Sequence, residues 1–79
     1  KRQVQILYKF SNGYGASVIK TAGSYGYDMD LWEIAPWVSA TKEFIGMDVM
    51  NWDDDVKGYL DEGELVYYLE KIRCLPTPI

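Results

Sequence analysis

VQILYKFSNGYGASVIK, residues 4 to 20, is the stretch that decides how this chain folds. Val4, Ile6, Tyr8 and Phe10 alternate with Gln5, Leu7 and Lys9, so an extended backbone puts the first set on one face and the second on the other. Asn12-Gly13 is the dipeptide that most favours a two-residue type I′ turn, because both central positions need positive φ. Counting outward from that loop sets Ser11 opposite Tyr14, Phe10 opposite Gly15, Tyr8 opposite Ser17 and Ile6 opposite Ile19. In this register the Phe10 ring lies over the bare backbone of Gly15, and Leu7 meets Val18 on the other face.

Beyond the hairpin, Thr21 to Asp30 has no hydrophobic period and reads as a loop, the kind of segment that often carries function in a compact domain. Leu31 to Ala35 reads as a third strand, halted near Pro36, with Trp32 and Ile34 facing one way. A polar connector, Ser39 to Glu43, leads to a fourth alternating segment from Phe44 to Val49. The period then changes. Asp61 can cap a helix while Glu64, three residues on, closes a capping box, and Leu65, Tyr68, Leu69, Ile72 and Leu75 form one apolar stripe. Lys71 and Arg73 suit the negative helix end, and Pro76 and Pro78 forbid continuation. The expectation is an α+β fold in a single domain over residues 1–79: a four-stranded antiparallel sheet with one C-terminal α-helix packed on one face.

The composition removes whole classes of chemistry. With no histidine among 79 residues, serine triads, Cys-His pairs and most zinc sites are excluded. A carboxylate pair could still hydrolyse, but most acids here sit in turns or at the helix start, and the expectation is a non-enzyme with no cofactor. Eight basic against twelve acidic residues, a net charge of -4, repel a phosphate backbone, so direct nucleic-acid binding is not expected. Neither a membrane-length apolar run nor a signal-peptide pattern is seen, and the lone Cys74 fits a reducing interior; the expected location is cytoplasmic.

Three features point outward instead. Tyr25 and Tyr27 lie among the glycines and serine of the loop, a composition that serves turn packing and adaptable recognition alike. Trp37 and Trp52 fall outside any periodic pattern and are candidate contact anchors, with Asp53, Asp54 and Asp55 as a charged rim. The stretch Asp53 to Glu64 also matches much of the calcium-loop pattern, with Asp53, Asp55, Gly58, Asp61 and Glu64 on the expected positions. Its fifth position is Lys57, an ammonium where a carboxylate should coordinate, so no metal site is assigned. An acidic surface with exposed aromatics also fits a DNA-mimicking inhibitor.

The strand ending in Phe10, the string from Asn12 to Ile19, Ser24-Tyr25-Gly26, Leu31 to Ala35, and Asp54 to Leu60 running into the helix together resemble a family of small proteins of tailed bacteriophages. The likeness skips Pro36 to Trp52. It implies an accessory phage product that works in the host bacterial cytoplasm by binding and modulating a host or defence protein, with no catalytic residues to carry over. It further implies that Asp54 to Leu60 is a structural entry to the helix rather than a calcium loop.

Overall fold

The computed structural model describes residues 3–78. Strands β1 (Val4–Lys9), β2 (Tyr14–Lys20), β3 (Trp32–Val38) and β4 (Lys57–Leu60) form one antiparallel sheet in chain order, and helix α1 (Glu62–Arg73) packs across one face of it. This is the expected α+β architecture of four antiparallel strands and one C-terminal helix.

The hairpin register differs from the expected one by a single residue. Lys9 faces Gly15, Tyr8 faces Ala16 and Ile6 faces Val18. The loop has three residues, since Phe10 N–H donates to Tyr14 O at 2.8 Å and Gly13 N–H to Phe10 O at 3.4 Å. Gly13 carries the positive φ, 93°, and Asn12 does not. A one-residue slip turns every side chain of β2 to the other side of the sheet. Tyr14, Ala16 and Val18 are consequently the buried set, where a type I′ turn would have sent Gly15, Ser17 and Ile19 inward.

Asn12 explains the slip. Its Oδ1 accepts from Tyr14 N–H at 3.1 Å, the local bond by which Asn side chains stabilise turns. Its Nδ2 donates to the carbonyls of Ile72, Arg73 and Leu75 at 2.8, 3.0 and 3.1 Å. Ile72 and Arg73 carry last-turn carbonyls of the helix, of which Ile72 O also accepts from Leu75 N–H at 3.2 Å, and Leu75 lies just past the helix end. The hairpin tip thus caps the C-terminus of α1 across 60 residues of sequence.

At the other end the capping box forms as the spacing predicts: Asp61 Oδ1 accepts from Glu64 N–H at 2.8 Å, and Glu64 Oε1 from Asp61 N–H at 3.0 Å. Leu65 and Ile72 are buried, with Tyr68, Leu69 and Leu75 packed beside them. In the last turn Arg73 donates to both carboxylate oxygens of Glu70, at 2.9 and 2.8 Å, and the hydrogen bonds followed by the charge hold that carboxyl below its ordinary value. Val18, Ile34 and Ile72 have no accessible surface, and each such burial contributes about 1.5–3 kcal/mol relative to exposure.

Two further expectations are corrected. β3 runs through Pro36 instead of stopping there. Pro36 O accepts from Ile45 N–H at 3.0 Å on the side away from β2, and in an extended strand N and O of one residue point the same way. The missing N–H therefore also faces away from β2, and that ladder loses nothing. The segment Phe44 to Val49 is not the fourth strand: Phe44 makes a single bridge to Trp37, and residues 46–49 turn. Of Ile45, Met47 and Val49, which gave the alternation, Ile45 is buried in the core while Met47 and Val49 are exposed. A Cβ on Gly46 would lie 2.6 Å from the carbonyl oxygens of Asp54 and Asp55, so the chain passes directly against that segment. The fourth strand is Lys57–Leu60, four residues long and bulged, with Gly58 and Tyr59 set against the single residue Glu33.

Replacing Asn12 with alanine removes a donor shared by three carbonyls, and Asn12→Ala is expected to lower the unfolding free energy by about 1–3 kcal/mol. Asn12→Asp, which sets a carboxylate against the same carbonyls, should cost more at neutral pH. Urea denaturation of the variants checks this, and losses below about 0.3 kcal/mol would contradict the capping role.

Candidate functional site

The loop that follows β2 is built by two glycines with different tasks. Thr21 to Ser24 closes a turn, with Ser24 N–H donating to Thr21 O at 2.9 Å and Ser24 Oγ bonded to both Thr21 O and Thr21 N–H. Gly23 holds the third position at φ 92° with open space around it, so its need is conformational. Gly26, at φ 91°, precedes a single 3-10 turn over Tyr27–Met29, and its carbonyl accepts from Met29 and Leu31. It is also a contact point: an added Cβ would lie 3.0 Å from both N and Cα of Tyr59.

That contact brings the loop onto the bulge of β4. Tyr59 N–H donates to Tyr25 O at 3.4 Å, Tyr25 N–H donates to Glu33 Oε1 at 2.8 Å, and a Cβ added to Gly58 would overlap the Cβ of Tyr25. Two glycine-tyrosine dipeptides, Tyr25-Gly26 and Gly58-Tyr59, therefore interlock, each glycine admitting the other pair's backbone. Tyr59 itself has φ 59°. For a bulky residue this left-handed conformation costs about 1–2 kcal/mol and persists only where surrounding structure enforces it.

The outcome is a stacked pair of rings, Tyr25 and Tyr59, with centroids 6.5 Å apart and planes 22° apart. Both remain largely exposed, at 52% and 57%, and Met29 beside them is 66% exposed. Shallow clefts of about 300 Å³ lie on either side of the pair. Tyr27, Asp28 and Met29 help to line one, and Trp52, Asp53, Asp54 and Lys57 the other.

Of the residues singled out from sequence, Tyr25, Tyr27, Trp52, Asp53 and Asp54 thus share one surface around Tyr59. Trp52 is only partly exposed: its ring meets Tyr68 edge-on at 5.5 Å, with Lys57 Nζ 5.5 Å from each centroid, so it belongs to the packing between loop and helix as well as to the cleft wall. Asp53 and Asp54 are exposed and Asp55 is half-buried, its N–H donating to Asp54 Oδ1 at 2.7 Å. Trp37 lies elsewhere. It sits opposite Gly15 on the sheet face away from the helix, where an added Cβ on Gly15 would lie 2.8 Å from Trp37 Nε1. The ring that covers Gly15 is therefore Trp37 and not Phe10.

Tyr59 and Met29, which the sequence reading does not mark as contact residues, belong to this surface, as does Lys57, which enters that reading only as the misfit in the calcium-loop pattern. The repeated pairing of tyrosine with glycine at 25–26 and 58–59 was the available signal. Asp53 to Glu64 does not wrap a common point: residues 57–60 are extended in β4, and the Asp61 and Glu64 side chains bond each other's backbone. Among the described residues no three of His, Cys, Asp or Glu converge as an ion-holding group, and no helix is long and apolar enough to cross a membrane. No known protein family, curated protein or solved structure matches this chain.

If the bulge strains Tyr59, Tyr59→Gly trades about 1–2 kcal/mol of relieved strain against a smaller gain in unfolded-chain entropy. Its urea midpoint should equal or exceed that of the parent. A loss beyond about 1 kcal/mol would show that the ring supports the fold more than it strains it.

Proposed function

We propose that this protein is a non-enzymatic binding module, a small phage accessory protein that docks on a host or defence protein through the Tyr25–Tyr59 pair and its acidic rim. The observation that carries the reading is Tyr59: a bulky residue held at φ 59° by interlocked glycines, with its ring left mostly in water. Such strain clusters where proteins bind, and the inference runs from the outlier to the role. Tyrosine supplies large contact area at low entropic cost, and flanking clefts give a partner's side chains somewhere to seat. Asp53 and Asp54 favour a partner with a basic rim, since complementary charge speeds encounter and selects against acidic surfaces. Phage origin and a host target rest on the family resemblance.

The test is capture from bacterial lysate on three immobilised proteins: the parent, Tyr25→Ser/Tyr59→Gly, and Val66→Ser, which alters an exposed apolar residue on the helix. The parent and Val66→Ser should hold the same protein, with binding to the double variant at least about tenfold weaker. Equal capture by all three, or none by the parent, would overturn the proposal.

A further inference from the structure

The dipeptide that anchors the hairpin tip is also the most labile in the chain. In Asn12-Gly13 the glycine nitrogen is one five-membered ring closure away from the asparagine Cγ, and glycine has no Cβ to obstruct that closure. The other asparagine, Asn51, is exposed but precedes Trp52, whose side chain crowds the same approach. The fold needs the labile pair as it stands: Asn12 supplies the amide that reaches the helix end, and Gly13 holds φ 93° where an added Cβ would lie 3.0 Å from Pro78 Cδ. The same docking restrains the reacting groups. Asn12 Nδ2 is engaged with the carbonyls of Ile72, Arg73 and Leu75 and Oδ1 with Tyr14 N–H, while Gly13 N–H faces Phe10 O at 3.4 Å and Gly13 O accepts from Ser39 N–H at 2.9 Å. Attack at Cγ makes that carbon tetrahedral and swings Nδ2 out of the plane in which it donates. The three carbonyls around Nδ2 only accept, so none can deliver the proton that a departing nitrogen needs.

We propose that Asn12-Gly13 is a self-modification site, protected while the hairpin tip is docked on α1 and reactive once it undocks, and that its deamidation makes the undocking irreversible. In the open state hydroxide takes the Gly13 N–H proton, the nitrogen bonds to Asn12 Cγ, and the Cγ–Nδ2 bond breaks as water protonates Nδ2, which leaves as ammonia. The product is a cyclic imide. Water then opens it at Cγ, giving aspartate with the main chain intact, or at the Asn12 main-chain carbonyl carbon, giving isoaspartate with the chain running through Cβ. Overall, water is consumed, ammonia is released and no electrons change hands. Either product replaces the donating amide with a carboxylate, which only accepts and carries charge, opposite the carbonyls of Ile72, Arg73 and Leu75. Isoaspartate also adds a main-chain atom to the loop whose length sets the register of β1 on β2. The cap then has no donor with which to form again. The inference does not rest on the partner reading.

The test is incubation of the full chain at mildly alkaline pH, with and without denaturing urea, followed by peptide mapping that separates asparagine, aspartate and isoaspartate. The unfolded chain should react at Asn12 well ahead of Asn51, and the folded chain should react at Asn12 at least about tenfold more slowly, the ratio reporting how seldom the tip opens. Leu75→Ala trims a partly buried side chain beside the dock without touching either reacting residue, and should speed the reaction of the folded chain by at least about threefold. The modified chain, purified by its added charge, should unfold at lower urea than the parent, as Asn12→Asp does, with the Cys74 and Leu75 amides exchanging at least about tenfold faster. A folded chain that reacts as fast as the unfolded one, an Asn12 that stays intact in urea, a rate unmoved by Leu75→Ala, or a modified chain that keeps the parent's urea midpoint and amide exchange would each overturn the proposal.

Discussion

The primary amide of Asn12 is the constraint on which the remaining structure turns. Its oxygen shapes the hairpin loop through Tyr14, and its nitrogen collects three carbonyls at the end of α1. Because the amide must face the helix, Asn12 keeps a negative φ and the loop takes a third residue. The register that follows turns Tyr14, Ala16 and Val18 toward Leu65 and Ile72, so one side chain links turn type, strand register and helix docking. A small domain has little core to spare, and a bond that fixes two elements at once limits the ways its apolar faces could slide.

The same register has a consequence on the opposite face. Gly15 now points outward beneath Trp37, and the cross-strand pair replaces a side chain that the crowded backbone could not hold. At the far edge of the sheet, glycine serves a related purpose for a different end. Gly26 and Gly58 let two backbone segments approach closely, which closes the β4 edge and lifts Tyr25 and Tyr59 together into solvent. The loop thus lies against β4, while among the described residues no segment pairs with the outer side of β1.

Features governed by local chemistry were legible in the sequence. The capping box needs only Asp61 and Glu64 three residues apart, and the apolar stripe from Leu65 to Leu75 needs only helical spacing. What could not be read was set by distant contacts. Asn12-Gly13 favours a type I′ turn in isolation, and only a helix end 60 residues away overrides that preference. The alternation of Phe44 to Val49 matched a strand, but Gly46 is pressed against the Asp54 and Asp55 carbonyls, and the turn it makes leaves Met47 and Val49 exposed. Lys57–Leu60 was hidden for the opposite reason: a bulge at Gly58-Tyr59 breaks the period that would have marked it. The site was half legible. Tyr25, Tyr27, Trp52, Asp53 and Asp54 meet on one surface, whereas Trp37 was set apart by a register that composition does not reveal.

Hydrogen exchange of the Asn12 side-chain amide, followed by NMR, tests the central claim most directly. If Nδ2 spans the helix-end carbonyls, its protons should be protected and should exchange only when the amide of Ile72 does, since opening one requires undocking the other. Side-chain protons of Asn12 that exchange as fast as those of an exposed asparagine, while Ile72 stays protected, would show that the hairpin and helix hold their places without this bond.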